Sequence, residues 1–290
     1  MKQQDILYLA LISLMTTNAG CKSMKAKMKH STQTLDNFVE ATNKQVSYDN
    51  SRMLLTDDNV EVMENPVAKF FQRAIFQTTV KEGTTTVKSS RGVSSGHGSG
   101  MVLKHPAGDF YFLTCDHVIS PYKPSKVIVT HGNKTQTIEN KILMQKSFIQ
   151  FDSGETFPYE VHNSSESIDL ALLKLKNVGL ADIPYFTGKF GKAKRIQRGD
   201  VAYVVGYPHQ FGKTMTEGII SQPYGKKLMS TSSVNPGNSG GPLYLLDKGE
   251  PVLGGIAQTT YPKFEGMHKF AKVDSIRKYL KGINMGDLIR

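Results

Sequence analysis

Asn235-Pro236-Gly237-Asn238-Ser239-Gly240-Gly241-Pro242-Leu243-Tyr244 is the stretch on which the reading of this chain turns. A serine stands between small, flexible residues and ahead of an apolar run that reads as a strand. Glycines on both sides let the backbone turn tightly and let a substrate carbonyl approach. They also let main-chain N–H groups converge on one spot, as an oxyanion hole requires. An ordinary glycine-rich hairpin would carry the same residues without chemistry. A serine hydroxyl attacks only with a base beside it and a group that orients the base. Leu113-Thr114-Cys115-Asp116-His117-Val118-Ile119 places a histidine at the end of a β-rich run. Ser167-Ile168-Asp169-Leu170 places an aspartate at the start of another. Singly, each is commonplace: the chain has 8 His, and an aspartate before a strand is usually a turn residue. In the order His117, Asp169, Ser239 they form a candidate catalytic triad.

Outward from these segments, short apolar runs recur between turn residues. Phe70 to Val80, Phe110 to Thr114, Lys126 to Thr130, Leu170 to Leu175, Val201 to Val205, Leu243 to Leu246 and Val252 to Ala257 read as strands. Many short strands without alternating long helices predict an all-β sandwich or barrel and exclude a doubly wound sheet. Val273, Ile276, Leu280 and Ile283 fall near helical spacing and predict a C-terminal helix. The 290 residues carry 39% hydrophobic and 21% charged residues, which excludes disorder of the whole chain. With 2 Cys, neither a disulfide-rich scaffold nor a four-cysteine zinc site is available. The scattered histidines and the lack of a His-Glu-x-x-His run argue against a catalytic metal, so no metal and no cofactor are expected. The formal charge of +11 fits a solvated basic surface, an anionic membrane or an envelope polymer; nucleic acid is not an expected partner.

The motifs resemble those of trypsin-like serine proteases of the HtrA/DegP type. Thr114-Cys115-Asp116-His117-Val118-Ile119, Asp169-Leu170-Ala171-Leu172-Leu173-Lys174 and Asn235 to Pro242 look like their three triad blocks. Gly98-Ser99-Gly100-Met101 and Thr216-Glu217-Gly218-Ile219-Ile220-Ser221 are similar to two further family segments. The resemblance runs over roughly residues 70 to 283. It implies the chymotrypsin-like fold, two six-stranded antiparallel β-barrels with a C-terminal helix, and a site in the cleft between them. It implies that Ser239 attacks, His117 moves the proton, Asp169 orients His117, and the backbone N–H groups of Gly237 and Ser239 form the oxyanion hole. Pro236 has no N–H to offer. The stretch between His117 and Asp169 is longer than usual in that family and points to an insertion within about Lys134 to Ser167. The stretch after Ser239 leaves no room for the PDZ domains that many such proteases carry. Digestive proteases of this fold place a charged aspartate just before the nucleophile to pair with a newly cut N-terminus. Here that residue is Asn238, so other contacts must order the oxyanion hole.

In that fold the floor of the primary specificity pocket falls at Ser233, and its wall comes from Ala257, Gln258 and Thr259. Ser233 offers no charge for a lysine or arginine, and Ala257 stands where glutamyl-specific relatives have histidine. A neutral pocket for small or medium apolar side chains is expected. Polypeptides are then the substrates; the oligomeric state is not readable.

The first residues read as an export signal: Lys2 precedes an apolar run from Ile6 to Met15, too short for a bilayer span of about 20 residues. Asn18-Ala19-Gly20-Cys21 resembles a lipobox, with Cys21 acylated; ordinary cleavage near Ala19 and a buried apolar helix are the alternatives. The expected organisation is a signal segment over 1–21, a polar basic tether over 22–68 and a protease domain over 69–290. Export would place the protein in the periplasm or cell envelope. The tether's lysines would help it hold an anionic membrane surface. Asn65-Pro66 reads as an N-cap with proline at the first helical position, ahead of a small helix or strand. Two other functions compete with the peptidase: a catalytically inactive protease-fold binding module at the envelope, and a basic protein that binds a surface polymer.

Overall fold

Thr56 caps the first helix of the described residues, α1 (Asp57–Glu64), by accepting the Asn59 N–H at 3.2 Å through its hydroxyl. In this computed structural model the described residues are 55–289, except 121–123, 132–133, 180–181, 210, 224, 226 and 261–265. The expectations for the signal segment, Cys21 and most of the tether therefore lie outside the described residues. α1 falls within the stretch read as tether; its Met63 is fully buried, and Asn59 donates to the carbonyl of Gly249 at 3.1 Å. Asn65 is the C-cap of α1 rather than the start of a helix, its N–H bonded to Glu61 O. The chain then enters a strand directly at Val67.

Among the described residues, fifteen strands follow in two sheets. The first holds β1 (Val67–Glu82), β2 (Thr85–Lys104), β3 (Phe110–Thr114), β4 (Ser125–His131), β5 (Lys134–Gln150), β6 (Thr156–Phe157), β7 (Tyr159–Ser165) and β8 (Leu170–Leu175). The second holds β9 (Lys189–Phe190), β10 (Val201–Gly206), β11 (Thr214–Gln222), β12 (Lys227–Ser230), β13 (Pro242–Asp247), β14 (Glu250–Thr260) and β15 (His268–Lys272). Its order β13-β10-β11-β12-β15-β14 closes through a β13–β14 pairing, which makes a six-stranded antiparallel barrel with β9 added in parallel to β14. This is the chymotrypsin-like architecture that the motifs imply.

The first sheet differs from the expected second closed barrel. It runs open in the order β4-β5-β1-β2-β3-β8-β7, with β6 on β5, as a curled half-barrel. The cause is strand length. β1, β2 and β5 extend over 16, 20 and 17 residues, and their outer halves run past the core as a ribbon. β4 pairs with residues 134–140 of β5, on that outer ribbon, so the edge that would meet β7 is carried away from it. The lengthened stretch before Asp169 is filled mainly by β5, β6 and β7.

Inner strands of this half-barrel are buried on both faces, which is why β8 reads as a continuous apolar run. Leu173 and Leu175 join Phe70, Val102, Phe112 and Ile149 in the half-barrel's own core. Leu170 and Leu172 join Val67, Met101, Leu113 and Tyr244 in the core shared with the closed barrel. The expected terminal helix, α3 (Val273–Gly282), ties the two together. Arg277 donates to the carbonyls of Gly191 and Phe190 at 2.6 and 2.9 Å, and the Tyr279 hydroxyl donates to Asn163 O in β7 at 2.8 Å.

Leu172 is fully buried where the two halves meet. Leu172→Ala should cost about 2–5 kcal/mol, because the lost transfer energy adds to that of a cavity the rigid strands cannot close. Urea unfolding of the two proteins side by side measures it, and a loss under about 1 kcal/mol would mean that the strands do close over the cavity.

Candidate active site

Antiparallel strands bring the end of one beside the start of its neighbour. β3 and β8 pair with Thr114 opposite Ala171 and Leu113 opposite Leu172. The residues just after β3 and just before β8 therefore meet at one rim. His117 lies there on a four-residue helix, α2 (Asp116–Ile119), and Asp169 lies just ahead of β8. The His117 Nδ1 is 2.9 Å from Asp169 Oδ1 and 3.0 Å from Oδ2. The backbone N–H of His117 donates to the same Oδ1 at 3.1 Å. A carboxylate held this way fixes the ring's orientation and favours the tautomer with its proton on Nδ1, leaving Nε2 free to accept.

Asp169 itself has φ of 55°, in the left-handed region, and so needs a firm mount. Gln258 supplies one. Its buried side chain donates Nε2 to Ile168 O at 2.7 Å and to Asp169 O at 3.3 Å. The fully buried Cys115 donates its thiol to Ala257 O at 3.1 Å. Burial, and then the charge of Asp169, push that thiol well above its usual range, so Cys115 is a packing residue rather than a nucleophile. Cys115, His117 and Asp169 form the only group of three metal-type donors found among the described residues. Their donor atoms are taken up by one another and by Ala257 O.

Ser239 stands in the turn ahead of β13 and shares a cleft of about 310 Å³ with His117 and Asp169. Val234, Asn235, Pro236 and Gln258 complete its lining. In this structure the Ser239 Oγ donates to Gln258 O at 3.4 Å. The Pro236 carbonyl accepts from His209 N at 2.7 Å. The peptide is trans and planar, so the Gly237 N–H points to the opposite side. Gly237 has φ of 102°, and a Cβ there would lie 2.2 Å from Tyr207 O, so glycine alone fits. Asn238 is buried at 1% exposure, and its Oδ1 has no hydrogen-bond partner among the described residues.

Behind this loop stands Ser99, fully buried in β2. Its N–H donates to Ser239 O at 2.8 Å, its hydroxyl donates to Gly237 O at 2.7 Å, and its carbonyl accepts from the Thr114 hydroxyl at 2.7 Å. Sequence reasoning met Ser99 inside a family-like segment and gave it no role; the signal was its position in that motif.

Of the expected pocket residues, Gln258 lines the cleft and Ser233 does not. Ser233 is exposed, outside the cleft lining, with its carbonyl bonded to the Thr216 hydroxyl at 2.9 Å. Val234 lines the cleft instead. Ala257 is fully buried, its N–H bonded to Gly241 O and its carbonyl to Gly240 N. Gln258 lines the cleft but spends its amide on the Asp169 loop. The Thr259 side chain lies outside the described residues, although its backbone pairs with Lys269.

Residues 98–254 match the family model described as "Trypsin-like peptidase domain". The chain is similar to the "Serine protease Do-like HtrA" of Lactococcus lactis, 29% identical over 51% of this chain and 34% of that protein. It is 30% identical to the protein of that name from Lactobacillus helveticus, over 50% of this chain and 32% of the other. A "Probable periplasmic serine endoprotease DegP-like" of Ectopseudomonas mendocina is 28% identical over 63% of this chain and 33% of its own length. The chain thus spans less than half the length of these curated relatives. Among solved structures, a serine endoprotease from Yersinia pestis superposes with a TM-score of 0.50 at 21% identity, covering 79% of this chain and 66% of that one. An HtrA-type protease with a tripeptide gives 0.52 at 21% identity, covering 79% and 63%. These two likenesses concern the fold.

Gln258→Leu should keep the barrel closed yet free the Asp169 loop. Since a misplacement of about 1 Å can cost about 100-fold in rate, labelling of Ser239 by a fluorophosphonate probe should slow by about 10- to 100-fold. Equal labelling rates would show that Asp169 is mounted without Gln258.

Proposed function

The chain belongs to the trypsin-like peptidase domain family, and on that footing we propose that it is a serine endopeptidase of the HtrA/DegP type. The observation that carries this reading is the bonded His117–Asp169 pair opening onto the same cleft as Ser239. In turnover, Ser239 Oγ leaves the Gln258 carbonyl and gives its proton to His117 Nε2 as it bonds to the scissile carbonyl carbon. The carbonyl oxygen gains the charge, and the N–H groups of Gly237 and Ser239 receive it. His117 then passes the proton to the departing amine, leaving an acyl-enzyme. A water, deprotonated by the same imidazole, releases Ser239. Asp169 stabilises the imidazolium throughout.

The long Ser239–Gln258 contact favours a second reading, a protease-fold binding module that does not turn over. One experiment separates the two. Ser239→Ala should lower peptide hydrolysis by about 10⁴–10⁶-fold with little change in unfolding midpoint, and it should abolish fluorophosphonate labelling. Full hydrolysis by Ser239→Ala, or no labelling of the wild type, would defeat the peptidase reading.

Unfolded or envelope polypeptides are the proposed substrates, met outside the cytoplasm. The export-like start, the lipobox-like Cys21 and a relative whose printed name is periplasmic support this location. Val234 on the cleft wall supports a neutral pocket that takes Val, Ala or Leu before the cut. Such pockets discriminate by only about 1–3 kcal/mol per methylene, so cleavage should be broad. Cleavage-site profiling on a denatured protein mixture should show small apolar residues before the cut. Dominance of Lys, Arg, Asp or Glu would overturn the pocket assignment.

A further inference from the structure

The segment just after β10 abuts the oxyanion peptide at several points. The Tyr207 N–H donates to Ser99 Oγ at 2.9 Å, and that hydroxyl donates to Gly237 O. The Tyr207 carbonyl lies against the Gly237 Cα and 3.0 Å from His97 Nε2. Two residues on, His209 N holds Pro236 O. Whatever fixes Tyr207 therefore fixes the direction of the Gly237 N–H.

Tyr207 is anchored at its other end by a charge. Its hydroxyl donates to Asp152 Oδ1 at 2.8 Å and is 3.3 Å from Val67 O. Burial first, and then Asp152, raise its pKa far above the ordinary phenol value, so it stays a donor. The other carboxylate oxygen, Asp152 Oδ2, lies 2.9 Å from Lys213 Nζ. Only 12% of the Lys213 side chain is exposed, against 54% for Asp152. The same ammonium donates to Glu64 O at 2.9 Å and lies 5.9 Å from the Tyr207 ring centroid. Glu64 ends α1, which carries no basic residue in its own last turn, so Lys213 supplies the cation that a helix C-terminus favours. A lysine this deep, holding a helix end, a carboxylate and an aromatic face together, is far from the solvated loop residue that its place in sequence suggests.

We propose that Lys213 is a positioning residue for the oxyanion peptide Pro236–Gly237, acting through Asp152 and Tyr207 and tying that peptide to helix α1. The proposal rests on the serine-peptidase reading of Ser239. Asn238 is neutral and cannot hold the loop from the front through an ion pair, so the anchor is at the back.

The test uses the full chain with Lys213→Met, Lys213→Arg, Asp152→Asn and Tyr207→Phe. Peptide hydrolysis gives kcat and KM, fluorophosphonate labelling gives the reactivity of Ser239, and thermal melting reports folding. Losing one well-aimed oxyanion donor costs about 10²–10³-fold in kcat, so loosening it should cost about 10- to 100-fold. Lys213→Met should show that loss with KM within about twofold and labelling slowed in parallel, as expected for a contact made in the transition state alone. Lys213→Arg should recover most of the rate. Asp152→Asn should reproduce the loss, and the Lys213→Met/Asp152→Asn pair should be no worse than either single change. If Lys213→Met does not fold, Asp152→Asn and Tyr207→Phe carry the same comparison. Folded variants with wild-type kcat, or a rise in KM at constant kcat, overturn the proposal and leave the peptidase reading intact. A wild type that neither labels nor cleaves removes both.

Discussion

Ser99 is the joint on which the site depends. One residue of β2, wholly out of water, uses its N–H, hydroxyl and carbonyl on the Ser239 loop and on β3. It ties the half-barrel that carries His117 to the closed barrel that carries Ser239. A buried hydroxyl with both capacities filled is worth more than a surface bond, because each partner would otherwise be stranded without water. Neither sheet could shift along the other without breaking several of these bonds at once.

Around that joint the molecule spends structure on holding one uncomfortable residue. Asp169 has a left-handed backbone, a conformation aspartate tolerates but does not favour. Its carboxylate faces His117 while its carbonyl is caught from below by Gln258. The half-barrel sets where His117 and Asp169 meet, whereas the closed barrel, through β14, decides how Asp169 is aimed. The geometry of the candidate triad is thus a property of both halves, although two of its three members come from one.

The candidate triad was legible because each member sits inside a short pattern whose local physics is self-contained: a serine among glycines, a histidine ending an apolar run, an aspartate starting one. The closed barrel and α3 were legible for the same reason, from strand-length apolar runs and helical spacing. What failed to show were relations between distant residues. Gln258 looked like a pocket wall because its strand borders the cleft, but its amide is taken by a loop 90 positions earlier in the chain. Lys213 carried no signal in the sequence, yet it bonds a carbonyl 149 residues away. Asn65-Pro66 reads equally well as the start or the end of a helix when Thr56 is not weighed as the cap. The open half-barrel was hidden because β4 reads as a strand regardless of which part of β5 it joins.

The order of these parts along the chain also has a kinetic meaning. His117, Asp169 and Ser239 have all been synthesised before the mount for Asp169 emerges at Gln258, and the latch between the halves, Arg277 and Tyr279 on α3, comes later still. Most of the bonds that shape the cleft join residues far apart in sequence, a topology that folds slowly. A growing chain therefore carries Ser239 before Asp169 has its mount, and the cleft takes its shape only once β14 and α3 have been made.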